Sequence, residues 1–283
     1  MLATYLIGLR EGLEAALIVS ILVAYLVRTD RRSALPWVWA GVGIAIAMSV
    51  GVALVLDLTS AALSETAEQL FAGVMSLVAV ALVTWMIFWM RSASRTIAHD
   101  LRGNLDQAFA MGVGAVATMA FAAVAREGLE TAVFFFSLTH GTEAGLAPLA
   151  GLVLGLATSA GIGWLLYRGA VRINLSTFFR YTGLLLILVA AGVLAYGIHE
   201  LQEAGLLPGE DNLAFDVSAT VPADSWYASV ARGVLGFRPA MSVLEVVAWA
   251  AYVGTTMLLF LRPVRPSTTR AVQDAPAPEA VTS

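Results

Sequence analysis

Six charged residues fall inside long apolar runs. Leu9-Arg10-Glu11-Gly12-Leu13-Glu14-Ala15 and Ala125-Arg126-Glu127-Gly128-Leu129-Glu130-Thr131 carry one pentapeptide, R-E-G-L-E, twice. On a helix the two glutamates of each copy, at i and i+3, share a face, and the arginine reaches the second glutamate at i+4. Gly12 and Gly128 lie between the carboxylates, where bare backbone lets a helix or an ion come close. An ion-paired latch between the two copies would need as many Glu as Arg. Four carboxylates and two guanidiniums leave −2, which favours a cation site. All-carboxylate sites suit hard cations. The expected metal ligands are therefore Glu11, Glu14, Glu127 and Glu130, with Arg10 and Arg126 orienting them and balancing their charge.

The surroundings dictate where such a set can sit. A charged residue at the centre of a membrane helix costs about 2.5–3.5 kcal/mol. Six of them facing lipid would cost about 15–20 kcal/mol, so they must face a bundle interior and one another. The chain itself demands a membrane. Of its 283 residues 59% are hydrophobic and 13% charged, with a mean hydropathy of +0.82. That excludes a soluble globule, a disordered chain and a nucleic-acid binder. Cysteine is absent, which excludes disulfide frameworks, thiolate metal sites and cysteine nucleophiles.

About 20 helical residues cross the hydrocarbon. The uncharged runs predict an all-α, polytopic fold with seven transmembrane helices near 2–27, 35–56, 67–90, 108–138, 146–167, 178–198 and 240–261. The first is not read as a signal peptide, because no basic stretch precedes it. All sixteen basic residues are arginines, and twelve fall in the connections that follow the odd-numbered spans: Arg28, Arg31 and Arg32; Arg91, Arg95 and Arg102; Arg168, Arg172 and Arg180; Arg262, Arg265 and Arg270. By the positive-inside rule that side is cytoplasmic, so the N-terminus lies outside and the C-terminus inside. Trp85 and Trp89, just before Arg91, read as an interfacial aromatic belt.

The opposite side holds ten acids against Arg232 and Arg238. Such a face concentrates cations. Within it Glu65 and Glu68, at i and i+3, together with Glu203 and Asp216 are the candidate outer relay. His140 and His199 lie on that side as candidate accessory ligands, although lone surface histidines commonly have no such role. Ser242-x-x-Glu245 reads as a capping box at the start of span 7 rather than an ion site.

The two motifs are 116 residues apart, and this offset carries spans 2 and 3 onto 5 and 6 to within about five residues. Three spans is an odd number, so the repeats have opposite orientation, an arrangement suited to alternating access around a shared site. The expected divisions are a first three-helix repeat over 1–105, an inverted second over 106–200, an outer loop over 201–239 carrying a short helix, a seventh helix over 240–262 and a disordered cytoplasmic tail over 263–283.

The motifs carry a family resemblance. With Leu17-Ile18-Val19-Ser20, the run Leu82–Arg91, Glu203-Ala204-Gly205-Leu206 and Phe215-Asp216-Val217-Ser218, the chain resembles the oxidase-dependent iron permease family. It is most similar to the bacterial Efe-type permeases within it. The resemblance implies a seven-span permease that imports iron as its transported substrate, with the R-E-G-L-E glutamates as ligands and no bound organic cofactor. It also implies an outer-face partner that oxidises or delivers iron: a multicopper oxidase in fungi, cupredoxin-like and peroxidase partners in bacteria. The chain departs from the family at Ala72, where a second glutamate is frequent. Its location would be the cytoplasmic (inner or plasma) membrane. Three other readings stay open on the residues alone: a permease of the same build for another divalent cation such as lead or manganese, a membrane enzyme using paired glutamates, and a structural subunit held by buried ion pairs.

Overall fold

A computed structural model of the chain describes residues 1–93, 111–140, 146–168, 175–218, 231 and 235–262. Seven long helices dominate these residues: α1 (Leu2–Arg28), α2 (Leu35–Ala61), α3 (Glu65–Ala93), α4 (Val113–His140), α5 (Ala147–Tyr167), α6 (Leu175–Glu203) and α7 (Val243–Leu261). Five of them, α2, α3, α5, α6 and α7, are long and apolar enough to cross a membrane. α1 and α4, of 27 and 28 residues, match them in length and carry the motif charges. Trp37, Ile44, Val55, Leu58, Val153 and Leu258 are exposed, as expected of helices whose outer solvent is hydrocarbon. The result is a polytopic, all-helical membrane architecture.

Helix ends follow local chemistry. Pro36 and Pro148 occupy the first turns of α2 and α5, where a missing N–H costs nothing. α6 runs past its apolar stretch to Glu203, because backbone hydrogen bonding does not stop where hydrophobicity does. Gly205, at φ +73°, turns the chain away after it. The connection between α6 and α7 contributes a feature that the all-α reading lacked. Strands β1 (Leu213–Asp216) and β2 (Ala240–Ser242) form an antiparallel ribbon pairing Leu213 with Ser242, Phe215 with Met241 and Asp216 with Ala240. α7 consequently begins at Val243 rather than 240. Ser242 is extended, its Oγ accepts the Glu245 N–H, and the Glu245 carboxylate accepts the Ser242 N–H. This is the capping box that the spacing predicts.

Small residues set the packing. α1 packs chiefly on α5, α2 on α4 and α3 on α6, while α1 and α4 cross and α7 packs on α6. A Cβ at Gly41 would strike the Ala117 carbonyl of α4, and at Gly155 it would strike the α1 backbone at Tyr5 and Leu9. Two apolar cores result. One joins α1, α3, α4, α6 and α7 around Ile7, Met86, Phe134, Leu186 and Phe260. The other joins α1, α2 and α4 around Leu22, Leu26, Val38, Val116 and Ala120. The six motif charges lie on the two helices common to both. The expected tail, 263–283, lies outside the described residues.

Candidate metal site

The crossing of α1 and α4 brings the motifs together. Glu11, Glu14 and Glu127 are buried and each offers a carboxylate oxygen within 4.8 Å of the others. Glu130, also buried, stands beside this trio rather than in it, tied to the Arg126 guanidinium. Arg10 Nε donates to Glu14 Oε1 at 3.2 Å, and Arg126 Nε donates to Glu130 Oε1 at 3.1 Å. Both are the i to i+4 pairs that helix geometry predicts. Arg126 Nε is also 3.9 Å from Glu127 Oε1. Neither oxygen of Glu11 receives a hydrogen bond, nor do Glu127 Oε2 and Glu130 Oε2. Burying a carboxylate oxygen with no donor is costly. Arg10 Nη1 and Arg126 Nη2 are likewise buried without a partner, so the guanidiniums reach Glu14 and Glu130 but leave oxygens on both helices unmet, and a hard cation would suit those oxygens.

The glycines of the motifs do what their position suggests. A Cβ at Gly12 would run into the side chain of Ser159 on α5, and one at Gly128 into Ser49 on α2. Beside the carboxylates lies a cavity of about 680 Å³ between α1, α2, α4 and α5, with Glu11 and Glu127 in its lining.

Trp85 and Trp89 have a role that the sequence reading missed. The Arg126 guanidinium lies 4.2 Å from the Trp89 ring centroid and 5.3 Å from that of Trp85. The two indoles, at i and i+4, stack at 6.4 Å. Their spacing was the available signal: it puts both rings on one helix face, and a cation–π seat is one use for that.

The candidate relay residues lie elsewhere. Glu65 and Glu68 occupy the first turn of α3, where Glu68 Oε1 accepts a 3.4 Å hydrogen bond from Ser60. Glu203, at the end of α6, accepts from Gln69 Nε2 at 3.2 Å and pairs with His199 at 2.8 Å. The start of α3 and the end of α6 therefore meet. Asp216 is exposed in β1, where the Ser218 hydroxyl and N–H donate to it and hold its carboxyl below the usual range. His199 also approaches Glu245, at 3.5 Å, and Arg238 pairs with Glu245 at 2.6 Å. His199 thus bridges two carboxylates. The His140 side chain lies outside the described residues, and Ala72 is buried in α3.

Apolar helices around a buried, acid-rich crossing define an integral membrane protein that handles charge within its bundle. Residues 1–271 match the model of the iron permease FTR1 family, and the chain belongs to that family. It is 40% identical over 272 residues to the ferrous iron permease EfeU of Escherichia coli O6:H1 (strain CFT073), covering 95% of this chain and 98% of that one. It is 36% identical over 278 residues to the ferrous iron permease EfeU of Yersinia pestis, covering 97% and 98%. These relatives are named as permeases, which are transporters rather than enzymes, and the membrane-enzyme reading is set aside. No solved structure matches the chain.

Proposed function

We propose that this protein imports ferrous iron across the cytoplasmic membrane, binding it in transit on Glu11, Glu14, Glu127 and Glu130. The observation that carries this reading is the meeting of three buried carboxylates from two separate R-E-G-L-E motifs within 4.8 Å. Family membership and the names of the relatives supply the metal. With −2 on the motif charges, a ferrous ion brings the set to neutrality.

In this reading all seven helices span the bilayer, with the N-terminus outside. The first three and the next three are inverted repeats. The packing supports that: exchanging α1, α2 and α3 with α4, α5 and α6 turns the pairs α1–α5, α2–α4, α3–α6 and α1–α4 into the same set. Iron collects at the acidic face, near Glu65, Glu68, Glu203 and Asp216, delivered by an outer-face partner such as a peroxidase, cupredoxin-like protein or multicopper oxidase; a partner that oxidises the iron would hand over the ferric ion, which leaves the motif charges at +1 rather than neutral. Alternating access then opens the crossing to the cytoplasm. The test is uptake of radioactive ferrous iron by cells carrying Glu14→Gln or Glu127→Gln, with competing manganese and lead. Loss of uptake at normal abundance is expected. Uptake at the wild-type rate would overturn the site, and stronger inhibition by manganese or lead than by unlabelled iron would overturn the metal.

A further inference from the structure

The cavity beside the crossing is largely apolar, but four small hydroxyls line it together with Glu11 and Glu127: Ser20, Ser49, Thr131 and Ser159. Each has its single hydrogen committed to a backbone carbonyl. Ser20 donates to Gly163 O at 3.2 Å, Ser49 to Ala45 O at 2.8 Å, Thr131 to Glu127 O at 2.7 Å and Ser159 to Leu156 O at 2.7 Å. A hydroxyl with its hydrogen spent keeps only lone pairs to offer. These hydroxyls and the two carboxylates therefore present acceptors. An anion finds nothing to bind among them, whereas a cation does.

Two of the four stand out. Ser159 seats against Gly12 and Ser49 against Gly128, so each hydroxyl lies at the turn of helix between the two glutamates of a motif. They hold matching places in the two halves. Ser49 ends the series Gly41, Ala45, Ser49 on α2, and Ser159 ends the series Gly151, Gly155, Ser159 on α5. The earlier positions are packed against helix backbone or lie in a buried core, where a smaller residue suffices. At the third position, in the cavity lining that includes Glu11 and Glu127, both halves carry an oxygen. Three carboxylates offering one oxygen each leave a hard divalent ion about three short of the roughly six that it prefers.

We propose that Ser49 and Ser159 supply two neutral oxygens to the cation held by Glu11, Glu14 and Glu127, extending its shell without adding charge that would oppose its release. This rests on the carboxylate reading above. The experiment compares initial uptake of radioactive ferrous iron, per copy of protein in the membrane, in Ser49→Ala, Ser159→Ala, the double variant, Ser49→Cys, Ser159→Cys and Glu14→Gln. In the double variant the half-saturating iron concentration should rise about tenfold with the maximal rate retained, the size expected for losing polar contacts to a charged ligand. The cysteine variants should make uptake sensitive to cadmium, since a thiolate attracts softer metals and the native chain has no cysteine. If the double variant accumulates poorly, the cysteine pair carries the test, because it keeps the side-chain size. Wild-type half-saturation or cadmium-insensitive cysteine variants, with Glu14→Gln inactive, would overturn the serine assignment alone. Full uptake by Glu14→Gln would overturn the carboxylate site beneath it.

Discussion

Arg10 and Arg126 start from the same pentapeptide and make the same bond four residues on, but their surroundings differ. The Arg10 side chain is 1% exposed and that of Arg126 is 32% exposed. Arg10 is enclosed within the bundle, and Glu14 with it. Arg126 lies over Trp89 and Trp85, so aromatic faces cover part of what helices cover on the other side. The lesson is that a repeated motif fixes the local bond and leaves the environment to the neighbours. One half of the crossing is sealed by packing, the other by a pair of indoles, and the same substitution should cost different amounts in each.

The largest test of this contrast removes each arginine. Arg10→Ala leaves Glu14 buried without its partner and should destabilise the protein by about 3–5 kcal/mol. Arg126→Ala, at a partly exposed site, should cost about 1–2 kcal/mol. Unfolding midpoints in detergent and membrane abundance measure both, and equal losses would break the comparison. Next comes Gly12→Ala, whose methyl group collides with Ser159. Overpacking of this kind costs about 1–3 kcal/mol. Ser159→Gly should restore the midpoint in the double variant, and a lack of rescue would mean that the glycine is needed for another reason. Trp89→Ala tests the open half directly: about 1–2 kcal/mol should be lost, with Trp89→Tyr recovering part of it. The same Trp89→Ala change made on top of Arg126→Ala should cost less, because its partner is gone. Smallest is Ser242→Ala, far from both motifs. Losing that cap, and the hydrogen bond from Ser242 to the buried Gln202, should cost about 1–2 kcal/mol and leave the half-saturating iron concentration of uptake unchanged.

Much of this was legible in the chain because charge in an apolar run has nowhere to hide. The i, i+3 and i+4 spacing of Arg10, Glu11 and Glu14 fixes which groups share a face before any partner is known, and the fold brings Glu11, Glu14 and Glu127 together. The Ser242–Glu245 cap was legible for the same reason, since it is a local hydrogen-bond pattern. What could not be read was the choice of neighbours. α2 and α5 are apolar all round, so hydrophobicity has no phase along them, and small residues such as Gly41, Gly151, Gly155 and Gly163 mark the buried stripe. That α1 would pair chiefly with α5 rather than α2 depends on backbone contact at those glycines, which composition does not record. The contact of Trp85 and Trp89 with Arg126 was not legible, because an indole near a basic flank looks the same whether or not a guanidinium lies over it. The β1–β2 ribbon escaped because strands of four and three residues are too short to show alternation.

The ion pairs of the crossing have a mechanical consequence. Arg10 holds Glu14 within α1, and Arg126 holds Glu130 and approaches Glu127 within α4. Each guanidinium therefore travels with its own carboxylates, and drawing α1 away from α4 would unfasten none of these pairs. It would only widen the spacing between Glu11 or Glu14 on one side and Glu127 on the other. Grip on an ion then follows the separation of the two helices, like the jaws of a vice. A cysteine-free chain is a ready background for checking this with paired thiols. A cross-link between α1 and α4 should clamp the jaws shut and stop transport, whereas one between α1 and α2, within the first repeat, should leave it running.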